Sequence, residues 1–232
     1  MPSPSQDAHR PNIILGVDTS GKRGSIALAR CSSNFEVLEV VSLAGGTYSA
    51  ELIPQLSALL ARHKLDKQAI DAFAVASGPG SFTGLRVGLS AIKALAEVLQ
   101  RPIAAVSILE AVISLGEPGR VLALLDAGRK QVFLGEGEAG KGVQRESLLT
   151  ADELALTVRA HGGALMLTPD ATIATLLAES GLKATLVPWP DAGVIARLGL
   201  AKIVAGETVS PEALEANYIR RSDAEIFAKP AP

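Results

Sequence analysis

The sequence predicts an α/β protein of two lobes, each with a mixed β-sheet and flanking helices. The first half contains elements in the order βββαβαβ, and a similar order recurs in the second half. Asp18 and Asp126 occupy matching places, each at the end of the first strand of its half. Short gaps join antiparallel strands, whereas strand–helix–strand connections join parallel ones, so each half is expected to form a mixed sheet.

Apolar runs and helical periodicity define the elements of the first half. A Gly-rich loop at 77–84 separates its fourth strand from its second helix. The predicted elements are strands at 13–17, 25–30, 37–43, 72–76 and 103–106, and helices at 50–64 and 85–99.

The second half repeats this order after a helix at 108–115. Its predicted elements are strands at 121–125, 131–135, 143–148, 164–167 and 184–187, and helices at 152–161, 172–180 and 192–205. Two such lobes describe the RNase H-like architecture of actin, Hsp70 and the sugar kinases, in which nucleotide phosphates lie between the strand-one turns. The predicted organisation is a flexible tail at 1–12, lobe one at 13–106, lobe two at 107–212 and a C-terminal segment at 213–232 that can return to lobe one.

Composition narrows the class of protein. The 232 residues are 48% hydrophobic and 20% charged, which is typical of a globular chain. The formal charge of −2 argues against an autonomous nucleic-acid-binding protein, because binding through phosphate contacts requires a markedly basic surface. Cys31 is the single cysteine, so neither an intrachain disulfide nor a thiolate zinc cluster is expected. No apolar stretch approaches the ~18 residues that span a bilayer, and we expect a cytoplasmic protein.

The Gly-rich loop is the most informative segment. It contains Gly78, Gly80 and Gly84, together with Ser81 and Thr83, either of which can cap the following helix. Glycines between a strand and a helix serve either an anion-binding turn or close packing of helix on strand. The loop lacks the Gly-Lys-Ser/Thr of a Walker A motif, and its third glycine falls one position late for a dinucleotide fingerprint.

Asp18, Thr19 and Ser20 form the second candidate site. A carboxylate at the end of a strand beside two hydroxyls can hold hydrated magnesium and a phosphate, whereas the alternative is a turn closed by its own side chains. His9, His63 and His161 are scattered and form no metal-binding motif, so no metal site is predicted.

Five segments of the sequence resemble the TsaB/YeaZ family. The most specific is Gly-Pro-Gly-Ser-Phe-Thr-Gly-Leu-Arg at 78–86. The other four lie at 14–20, 49–54, 124–133 and 217–220, and the resemblance extends from Ile13 to about Ile226. The sequence departs from the family pattern at two positions. Tyr48 stands where many members have His. Asn217 stands near a position where members often have Pro, and we expect this asparagine to loosen the C-terminal segment.

This resemblance implies a degenerate ASKHA-fold paralogue of TsaD that supports threonylcarbamoyl transfer to the adenosine beside the anticodon of ANN-reading tRNAs. It implies a TsaD-like catalytic partner, a TsaE-like ATPase, contact with tRNA through the complex, and a homodimer when the partner is absent. No membrane partner is expected. No catalytic residue, metal or intrinsic cofactor is expected, although ATP or ADP with magnesium can bind weakly in the assembled complex. On this resemblance, the 18–20 turn and the Gly-rich loop are interpreted as remnants of a phosphate-binding site.

The second helix has apolar residues on two sides, which suggests where a partner docks. Apolar or small residues cover an arc of ~220°, about twice the ~100° stripe of a one-sided helix. We assign the bulkier half, Leu85, Leu89, Ile92, Ala96 and Leu99, to the core of the lobe. The partner interface is assigned to Val87, Gly88, Ala91, Ala94, Leu95 and Val98, with Leu56 and Leu60 from the first helix. The alternative is that this half packs on the first helix of the same chain.

Two further functions compete with the subunit role. An autonomous ASKHA small-molecule phosphotransferase needs a catalytic base and phosphate contacts in both lobes. The second lobe has Asp126-Ala127-Gly128 where the first has Asp18-Thr19-Ser20, so one set of hydroxyls is missing. The second function is the peptidase activity once attributed to relatives of this family. It is not expected here, because this sequence lacks the metal ligands that such an activity needs.

Overall fold

A computed structural model describes residues 11–219 of the chain. Residues 1–10 of the predicted tail and residues 220–232 of the predicted C-terminal segment lie outside the described residues. The strands are β1 Ile13–Asp18, β2 Arg23–Cys31, β3 Phe35–Ala44, β4 Ala72–Gly78, β5 Ile103–Ser107, β6 Arg120–Gly128, β7 Gln131–Glu138, β8 Gly142–Thr150, β9 Leu165–Thr168 and β10 Thr185–Leu186. The helices are α1 Tyr48–Arg62, α2 Phe82–Leu99, α3 Ile108–Ile113, α4 Ala151–Ala160, α5 Ala171–Glu179 and α6 Ala192–Val204.

The two five-stranded sheets have the same topology. The first is ordered β3-β2-β1-β4-β5 and the second β8-β7-β6-β9-β10, so each strand has a counterpart five places along. In the first sheet β1 pairs antiparallel with β2 and parallel with β4. In the second, β6 pairs antiparallel with β7 and parallel with β9. The predicted mixed sheets and their repetition are therefore confirmed.

The chain divides into two compact units. Unit 1 contains the described residues up to Ser77, Ser81–Val106 and Asp191–Glu215. Unit 2 contains Gly78–Gly80, Ser107–Pro190 and the described residues from Ala216 onward. The predicted second lobe at 107–212 is therefore too long, because α6 packs on β1, β2 and β3 of unit 1. The described part of the 213–232 segment is also divided, since residues 213–215 belong to unit 1 and residues 216–219 to unit 2.

Helices cover both faces of the unit 1 sheet. Successive strand residues point to opposite faces, so Gly24 and Ser25 of β2 identify the two sides. The face of Gly24 lies against the Tyr48 ring of α1. On the opposite face, the Ser25 hydroxyl accepts a hydrogen bond of 2.8 Å from the Ala192 amide at the start of α6. Burial on both faces explains why β1 reads as an uninterrupted apolar run rather than as an alternating one.

Glycine allows α6 to approach β1 closely. A Cβ at Gly16 would lie 2.2 Å from the carbonyl oxygen of Ala192 and 3.0 Å from the Cβ of Ala196. Gly199, further along α6, lies against Ala74 of β4 in the same way. These contacts account for the assignment of α6 to unit 1, although the helix is distant from β1 in sequence.

Unit 2 has its own apolar core between its sheet and two helices. Alternate residues of β6 and β7 point to the face covered by α4 and α5. A capping box starts α4, with Thr150 and Glu153 each accepting from the other's backbone amide. The core residues are Leu122, Leu124, Val132, Leu134, Leu154, Val158, Ile173 and Leu177.

Candidate functional site

The turn after β1 is closed by hydrogen bonds within unit 1. Asp18, Thr19 and Ser20 have exposed fractions of 5%, 2% and 4%. The Asp18 carboxylate accepts from the Ser20 amide at 2.8 Å, and the Thr19 hydroxyl donates to the Gly84 carbonyl at 2.8 Å. The Ser20 carbonyl accepts from the Ser81 amide at 2.6 Å. The turn is thus bonded directly to the start of α2.

Glycines of α2 let this helix lie directly on the turn. A Cβ at Gly84 would lie 2.1 Å from the Thr19 carbonyl oxygen, and one at Gly88 would lie 2.3 Å from the Thr19 hydroxyl oxygen. The Ser81 hydroxyl caps α2 by accepting from the Gly84 amide at 3.3 Å. These contacts explain Gly84 and Gly88 by close packing, which is one of the two functions the sequence left open.

The remaining candidate residues of the loop are Gly78, Gly80 and Thr83. Gly78 is buried with φ of 118°, a backbone conformation that favours glycine. Gly80 and Thr83 are exposed. Of the two residues predicted as a helix cap, Ser81 makes the capping bond.

Unit 2 has an equivalent turn at its own first strand. The Asp126 carboxylate accepts from the Gly128 amide at 2.7 Å, as Asp18 does from Ser20. The Asp126 amide in turn donates to the Asp170 carboxylate at 2.8 Å. Asp126 is exposed, whereas Asp18 is buried. The matching places predicted for the two aspartates therefore correspond to matching local geometry in different environments.

Burial raises the pKa of the Asp18 carboxyl above its ordinary value of 3.8, the hydrogen bonds from Ser20 oppose this shift, and the charge of Asp191 adds to it. At pH values between 3.8 and the raised pKa, the folded state consequently binds more protons than the unfolded state. The free energy of unfolding therefore decreases as the pH rises through this interval, because the ionised carboxylate is costly to bury.

Asp18→Asn is expected to be more stable than the wild type at pH 7 and to lose this part of the pH dependence. The amide oxygen of Asn can still accept from the Ser20 amide, while the buried charge is gone. Urea unfolding from about pH 3.5 to 8 measures the difference on either side of the ordinary pKa. Parallel curves for the two proteins would contradict the raised pKa, and Asp126→Asn is a control at the exposed counterpart.

Helix α2 presents a partly apolar surface. The five residues predicted for the core, Leu85, Leu89, Ile92, Ala96 and Leu99, are buried. On the other side of the helix, Ala94 is exposed and Val98 has 73% of its surface exposed. Val87, Ala91 and Leu95 are half-buried.

Three residues of the predicted interface are buried in unit 1 instead. Leu56 and Leu60 are buried because they lie on the face of α1 that packs on α2 and the sheet. Gly88 is covered by the Thr19 side chain. The sequence predicted correctly that these residues lie on helices, but the prediction that they contact a partner protein placed them on the wrong helix face.

Other exposed residues of these helices were missed. Ile53 of α1 has 47% exposure and Phe82 of α2 has 40%. Ile53 lies outside the buried series Leu52, Leu56 and Leu60, so its position around the helix could have predicted its exposure. Phe82 lies at the start of α2, where periodicity has not yet established which face is buried. We define the α1/α2 face as Ile53, Val87, Ala91, Ala94 and Val98.

Comparisons with known proteins agree with the resemblance in sequence. The family model for TsaD, tRNA N6-adenosine threonylcarbamoyltransferase, matches residues 40–188. The tRNA threonylcarbamoyladenosine biosynthesis protein TsaB of Bacillus subtilis (strain 168) is 30% identical over 225 residues, which cover 91% of this chain and 96% of that protein. This chain belongs to the TsaB/YeaZ family. The TsaB of Haemophilus influenzae is 25% identical over 222 residues, covering 89% and 93% of the two chains.

Solved structures of the TsaB/YeaZ type share the fold. A crystal structure of a protein from Pseudomonas aeruginosa with similarity to peptidase YEAZ has a TM-score of 0.75 at 24% identity, covering 90% of this chain and 100% of that one. A second structure, YeaZ from the same organism, has a TM-score of 0.72 at 24% identity, covering 89% and 99% of the two chains. The predicted fold class is therefore confirmed.

Tyr48, where many TsaB members have His, closes the strand-one turn from the side of α1. Its hydroxyl donates to the Gly21 carbonyl at 2.9 Å, and its ring would lie 2.8 Å from a Cβ at Gly24 and 3.3 Å from one at Gly84. The tyrosine thus fills the space above these glycines and is itself buried.

Asn217, the other departure from the TsaB pattern, is held within unit 2. Its amide donates to one carboxylate oxygen of Glu146, while the Ser107 hydroxyl donates to the other. A proline at this position has no side-chain donor, so Asn217 adds a hydrogen bond that proline cannot form. That Asn217 loosens the C-terminal segment stays a prediction.

Two kinds of feature are absent from residues 11–219. No helix in this range is long and apolar enough to cross a membrane. The same residues contain no group of three or more His, Cys, Asp or Glu side chains placed to hold a metal ion.

Proposed function

We propose that this TsaB-family chain acts in tRNA threonylcarbamoyladenosine biosynthesis as a non-catalytic subunit that pairs with a TsaD-like catalytic subunit. The names of its relatives supply the pathway. The observation that carries the non-catalytic role is that the Asp18–Ser20 turn is hydrogen-bonded to the protein's own backbone and buried beneath α2.

The chemistry of a phosphate site supports this interpretation. A turn that binds phosphate needs hydroxyl and amide donors directed at the ligand. The Thr19 hydroxyl and the Ser81 amide instead donate to Gly84 and Ser20. A buried carboxylate with a raised pKa is also poorly suited to bind a magnesium ion. The turn therefore serves to position α2, and any binding of ATP or ADP with magnesium is weak and belongs to the assembled complex.

The α1/α2 face supports the partner role. Val98 and Ile53 are exposed, and the small residue Ala94 lies beside Val98 on the same helix. Small and branched apolar side chains allow a second pair of helices to approach closely. In the proposed assembly two helices from each subunit form a bundle, a TsaE-like ATPase joins the complex, and tRNA is bound by the complex as a whole. The same face supports a homodimer when the TsaD-like subunit is absent.

The pairing is tested with purified proteins. We expect this chain and the TsaD-like subunit from the same genome to co-elute in size-exclusion chromatography as one species. Threonylcarbamoyl transfer to tRNA is expected only when both subunits are present with the other components of the pathway. Full transfer activity without this chain would contradict the subunit role.

The phosphotransferase alternative makes an opposite prediction for the isolated chain. We expect negligible ATP hydrolysis and no tight binding of magnesium-ATP in calorimetry, because the polar groups of the strand-one turn already have partners. Robust turnover by the pure protein, abolished by Asp18→Ala, would overturn the non-catalytic role. A dissociation constant in the low micromolar range, on the order of −8 kcal/mol, would show a functional nucleotide site.

A further inference from the structure

An arginine at the start of α2 is held in position by a neighbouring aromatic ring. The guanidinium carbon of Arg86 lies 3.7 Å from the centroid of the Phe82 ring, one helical turn earlier. Phe82 and Arg86 are both exposed. Within residues 11–219, Arg86 forms no salt bridge, so its charge is not neutralised by a nearby carboxylate of the described chain.

This stacking prepares the guanidinium for one kind of ligand. The ring covers one face of the planar group, and the N–H donors at its edges stay directed to solvent. A stacked side chain has already lost much of its rotamer freedom, so little further entropy is lost on binding. The edge of a guanidinium matches a carboxylate or a phosphate, with two parallel hydrogen bonds.

The position of Arg86 connects it to the α1/α2 face. Arg86 directly precedes Val87, and residues 86, 90, 94 and 97 follow the exposed side of the helix. Arginine is enriched in protein interfaces and among the residues that contribute most of their binding energy.

A protein carboxylate explains these features better than a nucleic-acid phosphate. Binding to a phosphate backbone requires several cations along one surface. The only other basic side chain of α2 is Lys93, which interacts with the charge of Glu212. Charge and apolar area together are the features of a protein interface.

We infer that Arg86, positioned by Phe82, binds an Asp or Glu side chain of the protein partner at the edge of the α1/α2 face. This inference rests on the proposed pairing and names the chemistry that the partner must offer. The partner residue is expected opposite the first turn of α2, next to the apolar side chains that cover Val87.

The test compares Arg86→Ala with a matched control in the same unit. Arg197 of α6 lies 5.4 Å from the Phe35 ring, so Arg197→Ala removes an arginine of similar surroundings on a different helix. Affinity for the purified TsaD-like subunit is measured by calorimetry at low and high salt. We expect Arg86→Ala to weaken binding on the order of 10-fold or more and to reduce the salt dependence. Arg197→Ala is expected to stay within about twofold of wild type.

Two further variants separate charge from geometry. Arg86→Lys keeps the charge without the planar edge, so its affinity is expected between those of wild type and Arg86→Ala. Phe82→Leu keeps Arg86 but removes the stacking ring, and we expect a several-fold loss in the wild-type background and none when Arg86 is already Ala.

Two results would overturn the inference: Arg86→Ala binds the protein partner within twofold of wild type, or Arg197→Ala weakens binding equally. In the first case, a loss of affinity for tRNA in Arg86→Ala would assign Arg86 to a phosphate. If wild type itself fails to bind the TsaD-like subunit, the proposed function fails first and the inference with it.

Discussion

Ala94→Glu combined with Val98→Glu is expected to weaken binding to the TsaD-like subunit by at least about 100-fold, which corresponds to roughly 3 kcal/mol. Both residues are exposed on α2, so the substitutions place two carboxylates in the proposed contact without entering the core of unit 1. Burying an unpaired charge in an apolar contact is costly, whereas a glutamate in water is not. The melting temperature should therefore stay close to that of wild type.

The control for this variant lies on another exposed helix. Leu156 of α4 in unit 2 has 68% exposure, so Leu156→Glu makes the same kind of change away from the α1/α2 face. We expect it to leave partner affinity unchanged. A folded Ala94→Glu/Val98→Glu protein that pairs with wild-type affinity would remove the α1/α2 face from the proposal. An unfolded variant would instead assign these residues to the core, against their exposure.

Gly84→Ala is expected to reduce the free energy of unfolding by about 2–4 kcal/mol. The added Cβ would lie 2.1 Å from the Thr19 carbonyl oxygen, a backbone atom that cannot rotate away. Alanine is normally favoured over glycine within a helix by up to about 1 kcal/mol, so the clash must exceed this gain for the predicted sign to hold. We expect it to do so because the turn on the other side is itself hydrogen-bonded to α2.

Gly162→Ala provides the comparison for the glycine substitution. Gly162 has open space around its Cα, since a methyl group added there would lie 4.0 Å from the Arg159 carbonyl oxygen. Chemical denaturation should show a small effect at Gly162 and a large one at Gly84. Equal stability of Gly84→Ala and wild type would mean that the turn can move, and the packing function of the glycine would be wrong.

The strands and helices of the fold could be predicted from the local pattern of apolar residues in the sequence. The apolar run of β1 and the 3.6-residue periodicity of α2 depend on neighbouring residues, and both were predicted at nearly their observed positions. The duplication was also visible, because Asp18 and Asp126 follow the first strand of each half and form the same local turn. Such features are encoded within short segments, which is why a single sequence suffices.

The orientation of α1 could be predicted only in part from the sequence. Leu56 and Leu60 belong to the apolar stripe of this helix, but a stripe does not reveal whether it meets the same chain or another one. In the structure they pack within unit 1, and the exposed isoleucine at 53 takes their place on the surface. The same ambiguity affected Gly88, since a small residue favours close approach by any neighbour.

By itself the sequence determined the element order, the duplication and the family, because these depend on periodicity and on contiguous motifs such as 78–86. Tertiary structure alone decided that α6 joins unit 1, where the lack of a side chain at Gly16 lets the Ala192 carbonyl lie close to β1. It also decided that Thr19 donates to Gly84 and that Asp18 is buried. Each of these facts requires residues far apart in the sequence to meet, and no local pattern encodes which distant surface a buried face will find.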